Sequence, residues 1–109
     1  MGKQIVCIIL LWFVASVSAQ KQTQVHKKID STTYAMYLNK EWIAIIAEGK
    51  KANREGIDYY LLKVRMGIAY FKEHKMFSAI QFLEKAYALD PSNLVVQDYL
   101  YWAYRSSGL

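Results

Sequence analysis

The chain has 109 residues, 54% of them hydrophobic and 21% charged, with a formal net charge of +5. That length holds one small domain at most, and so apolar a composition excludes an unstructured chain. One Pro and five Gly are too few to punctuate a β-rich fold, while Ala, Leu, Ile, Lys, Tyr and Gln fill long uninterrupted stretches, so helices are expected.

In chain order, residues 1–19 read as a signal peptide. Lys3 gives a short positive start, Ile5 to Val17 is an unbroken run of apolar or small residues, and Val17-Ser18-Ala19 offers small side chains to a signal peptidase. Cleavage between Ala19 and Gln20 predicts an exported chain. The apolar run is shorter than the roughly 20 residues a membrane-spanning helix requires, so no transmembrane helix is expected in the mature chain. Met1-Gly2 begins a myristoylation pattern that Val6 breaks. The single cysteine, Cys7, lies inside the signal, so the mature chain is expected to carry no disulfide, thiol nucleophile or thiolate metal site.

Residues 20–31, with Lys21, His26, Lys27 and Lys28, read as a solvated polar linker. Weak binding of nucleic acid or an anionic surface through this basic linker is an alternative function. No nucleic-acid partner is expected, because such a footprint ordinarily needs a basic stripe on a folded face. Residues 32–57 read as a degenerate helical repeat. A short helix from about Thr32 to Tyr37, capped by Asp30 or Ser31, precedes a second from Asn39 to Asn53. Glu41, Glu48 and Glu55 recur every seven residues beside Lys40, Lys50, Lys51 and Arg54, the pattern of an exposed charged face.

Residues 60–93 carry the clearest pattern: Lys63-x-x-Met66-Gly67-x-x-Tyr70, then Ala79-x-x-x-Leu83-x-x-Ala86, then Pro91. Gly67 and Ala79 are small where two antiparallel helices approach closely, Tyr70 and Leu83 fill the adjoining volume, and Pro91 stops the second helix. Gly56-Ile57-Asp58 predicts a stop and then an N-cap for a helix ending near Lys72. Glu73-His74-Lys75 is a turn, Met76 to about Leu89 a second helix, and Asp90 to Asn93 a turn in which Ser92 or Asn93 caps the next helix. This unit resembles a tetratricopeptide repeat, a helix-turn-helix of about 34 residues. It departs from that family at Lys63, where Trp is usual, and at Met76, where Tyr is usual. Residues 94–109 read as the first helix of a further, incomplete repeat, with Leu100, Tyr101 and Tyr104 at core positions. That helix is apolar nearly all round, so something is expected to cover it.

The predicted fold is therefore all-α, an antiparallel helix-turn-helix array of about two repeats plus one further helix. By resemblance, such arrays bind peptides or helices along the inner face of each first helix, here Leu61, Val64, Ile68, Phe71 and Lys72, continued by Trp102 and Arg105. The basic and Asn-bearing clamp that some members use for a C-terminal carboxylate is not matched, because Val64 and Ile68 stand where Lys and Asn are needed. The chain is also similar to the N-terminal repeat segments of exported Gram-negative envelope proteins, which implies a periplasmic or outer-membrane-associated location. No catalytic set assembles in the sequence: His26 and His74 have no ligand at metal spacing, and Gly49-Lys50-Lys51 lacks the glycine and hydroxyl of a phosphate loop. The expectation is a non-enzymatic interaction or assembly-scaffold module without cofactor or metal. Its partner is another protein, further repeats of the same polypeptide or a second copy. The alternative is the leading segment of a longer repeat or outer-membrane protein, with the apolar face as internal core.

Overall fold

The computed structural model describes residues 23–108, so the predicted signal peptide lies outside the described residues. Five helices follow in order: α1 (23–38), α2 (Trp42–Arg54), α3 (Tyr60–Lys72), α4 (Met76–Leu89) and α5 (Leu94–Ser107). Neighbours in sequence are neighbours in space: α2 packs on α3, α3 on α4 and α4 on α5, and α3 also touches α5. The chain is an all-α array of antiparallel helix-turn-helix units. No described helix is long and apolar enough to cross a membrane.

A 34-residue period is written into the backbone. Lys40, His74 and Gly108 stand 34 apart and all take left-handed φ, at 58°, 60° and 79°. The first two close their helices alike. Lys40 N–H donates to Tyr37 at 3.1 Å and Glu41 N–H to Met36 at 2.9 Å; His74 N–H donates to Phe71 at 3.0 Å and Lys75 N–H to Tyr70 at 2.9 Å. Turning back in this way satisfies the last carbonyls of the helix. Burial repeats with the same period: Ile45 and Ala79, Ala52 and Ala86, Leu62 and Val96, and Ala69 and Ala103 are all buried.

Close approach explains the small residues. A Cβ at Gly67 would lie 2.8 Å from Leu83 Cγ and Cδ2, and one at Gly49 would strike the Met66 thioether. Tyr70 lies flat on Phe82 with ring centroids 5.5 Å apart. Burial raises the pKa of the Tyr70 phenol.

Three local expectations are corrected. Residues 23–31 are helical rather than a linker, so the first helix is far longer than Thr32 to Tyr37. The inward stripe is Ile29, Thr33, Met36 and Tyr37, at helical spacing. Thr33 hides in it because its hydroxyl donates to the Ile29 carbonyl at 2.8 Å, leaving the methyl for the core. Asp58 does not cap α3: Tyr59 occupies that position in extended conformation without a side-chain cap bond, and the Asp58 carboxylate pairs with Lys63. Lys63 thereby buries its stem where the resembling family has Trp and keeps its ammonium paired. The second helix begins at Trp42 rather than Asn39, since the left-handed Lys40 cannot continue a helix. Of the two expected caps for α5, Asn93 serves. Its Oδ1 accepts from Val95 N at 3.0 Å and Val96 N at 3.3 Å, and its amide donates to Tyr60 Oη at 2.9 Å.

Candidate interaction surface

Two residues at the centre of the predicted inner face belong to the core. Val64 and Ile68 are only 8% and 1% exposed, within an unbroken buried run from Val64 to Tyr70. The physical reason is that α3 has neighbours on several sides: α2, α4 and α5 pack on it, and α1 is bonded to it through Arg65. No continuous strip of α3 is left for a partner.

The remaining predicted residues divide into three places. Leu61 is exposed near the start of α3, beside a cavity of about 270 Å³ shared with His26, Lys27, Asp30 and Tyr59. Phe71 meets Tyr99 edge to face, centroids 5.1 Å apart. The exposed Lys72 ammonium hangs 5.9 Å from the Trp42 ring and 5.7 Å from that of Tyr99, within reach of both ring quadrupoles. Trp102 lies half exposed on α5, edge-on to Tyr101 at 5.3 Å. The Arg105 guanidinium sits 5.9 Å from each of those two rings and donates to Tyr101 Oη at 3.1 Å.

The polar cluster between α1 and α3 is structural. Arg65 Nη1 donates to Asp30 Oδ1 at 2.5 Å, to the Asp30 carbonyl at 3.2 Å and to Thr33 Oγ1 at 3.1 Å. Its guanidinium lies over Tyr34, 5.4 Å from the centroid. Tyr59 donates to Asp30 Oδ1 at 3.3 Å, and His26 stacks on the Tyr59 ring. Burial, followed by the Asp30 charge, raises the Tyr59 pKa. Among the described residues no buried side-chain polar atom lacks a partner, and no three His, Cys, Asp or Glu gather at metal-binding distance. His74 is exposed in its left-handed turn.

One open apolar surface lies on α5. Leu94, Val95, Tyr101 and Trp102 are all exposed, while Val96, Leu100 and Ala103 face the core. A groove of about 580 Å³ runs between Tyr37 of α1 and Leu94, Val95, Asp98 and Tyr99 of α5. The sequence reading placed Tyr101 at a core position, whereas it is half exposed, and it did not name Asp98 for this surface. The spacing of Asp98 was the available signal, since 95, 98 and 102 share one helix face. Behind α5, Tyr104 donates to the Glu84 carboxylate, a hydrogen bond that, with partial burial, pushes its phenol pKa up to about 12.

No family model, curated protein or solved structure matches this chain.

Proposed function

We propose that this chain is a non-catalytic interaction and assembly module that works in the cell envelope after export, with α5 as its contact surface. One observation carries the reading. Ile68 and Trp102 occupy the same position of the 34-residue period, yet Ile68 is 1% exposed and Trp102 is 49% exposed. An apolar patch of this kind marks a surface that meets something, and Trp, Tyr and Arg are the residues that dominate contact energies. The resemblance to tetratricopeptide repeats supports the same reading through the repeated left-handed turns and the repeated core. The location rests on the signal-like first 19 residues.

The test is a photo-crosslinking amino acid placed at position 95, 102 or 85 in living cells. Protein adducts are expected at 95 and 102 but not at the exposed Lys85 on α4. No adduct at either α5 position sinks the reading.

A further inference from the structure

α5 repeats α3 with a change of chemistry. Val64, Gly67, Ile68 and Phe71 of α3 correspond, 34 residues on, to Asp98, Tyr101, Trp102 and Arg105, all exposed. A further hairpin packed on α5 as α4 packs on α3 would need glycine's space at position 101. At Gly67 even a Cβ would lie 2.8 Å from Leu83, so the Tyr101 phenol blocks that approach. A charge at each end of the face must also meet an opposite charge if it is covered. This face is therefore not a copy of the internal seam.

It is self-complementary instead. Asp98 and Arg105 lie two turns apart on one side of α5, roughly 10 Å along the axis, too far to pair with each other. Neither takes part in an ion pair among the described residues. The midpoint between them falls between Tyr101 and Trp102. If a second α5 is laid antiparallel across that midpoint, each Asp98 comes opposite the other copy's Arg105, and the aromatic rings meet at the centre. Leu94 and Val95 extend the contact toward its ends.

We propose that a second copy of this chain docks here: α5 pairs with α5 about a twofold axis at Tyr101 and Trp102, closed by two reciprocal Asp98–Arg105 ion pairs. The interface is isologous, so one surface supplies both halves. The pairs fix the antiparallel register, and the aromatic centre supplies the buried area. This inference rests on α5 being the interaction surface and names what covers it.

The experiment is sedimentation equilibrium of the full chain over a wide concentration range, with circular dichroism of each variant. The wild type is expected to dimerise. Asp98→Arg gives each chain two arginines on the face, Arg105→Asp gives it two aspartates, and each change is expected to weaken self-association at least about tenfold, as unpaired like charges should. An equimolar mixture of the two single variants is expected to associate, because every charge then meets its opposite, and the double variant D98R/R105D is expected to dimerise again. A wild type that stays monomeric, or single variants of native helicity whose mixture does not associate, overturns the proposal. The crosslinked product at position 102 separates this from the broader reading. A mass of twice the chain supports the second copy. A heteromeric adduct with a monomeric wild type leaves α5 as an interaction surface but overturns the dimer.

Discussion

Arg65 and Tyr99 occupy the same position of the repeat, one on α3 facing back to α1 and one on α5 facing back to α3, yet the two seams they build are chemically opposite. At the first, one guanidinium nitrogen reaches Asp30 twice and Thr33 once, with Tyr34 beneath it. At the second, Tyr99 and Phe71 meet edge to face and Tyr99 lies under the Lys72 ammonium. Directional hydrogen bonds fix one register, whereas aromatic contact depends on area and tolerates small sliding. A single repeat position can therefore serve either as a lock or as a cushion, according to which side chain fills it.

Breaking the lock should have the largest effect. Asp30→Ala leaves Arg65, only 8% exposed, with a carbonyl and a hydroxyl but no counter-charge, and is expected to cost about 3 kcal/mol in urea unfolding. Arg65→Met should cost nearer about 1 kcal/mol, because the half-exposed Asp30 carboxylate returns to water. Equal costs for the two changes would mean that burial of the arginine is not what governs this seam.

Softening the cushion comes next. Tyr99→Ala is expected to cost about 2 kcal/mol, since the ring is only partly buried. A double-mutant cycle with Phe71→Leu should return a coupling of about 1 kcal/mol. A coupling near zero would reduce the edge-to-face pair to simple area burial.

The third side of α3, against α4, tolerates neither kind of change. Ala79→Leu and Gly67→Ala are each expected to cost about 1 to 2 kcal/mol by overpacking, and Gly49→Ala, on the α2 side of α3, less, because the Met66 thioether can swing aside. Thermal melts of the three variants check that order.

The smallest effect is on pH. The Tyr59, Tyr70 and Tyr104 phenols are all raised above their ordinary value, Tyr104 to about 12. The folded chain therefore holds these protons more tightly than the unfolded chain does. Their contribution is fully present below about pH 10 and is lost as pH climbs through the folded values, so stability should be flat to about pH 10 and fall between there and about pH 12. Tyr104→Phe should flatten part of that slope, and an unchanged slope would remove Tyr104 from the account.

The central hairpin was legible in advance because its signals are local. Gly67, Ala79, Leu83, Ala86 and Pro91 stand at spacings that only a close helix pair requires, and α4 runs from Met76 to Leu89 as read. The first helix was not legible, because its inward stripe includes Thr33 and its apolar content is low. Nothing within residues 20–31 announces that Asp30 is held by an arginine 35 positions away. The burial of Val64 and Ile68 was hidden for a related reason: both are apolar on an amphipathic helix whether they meet a partner or another helix.

By itself the sequence determined the helical class, the 34-residue period and the turns that bound the central hairpin, since helix periodicity, capping and the space available to a small residue act over a few neighbours. Only the tertiary structure decided which faces stay open. Exposure depends on how many helices crowd around a given one, and that number is set by contacts between residues far apart in the chain. Thus α3 has Val64 and Ile68 covered by its neighbours, whereas on α5, built on the same period, Asp98 and Trp102 stay open.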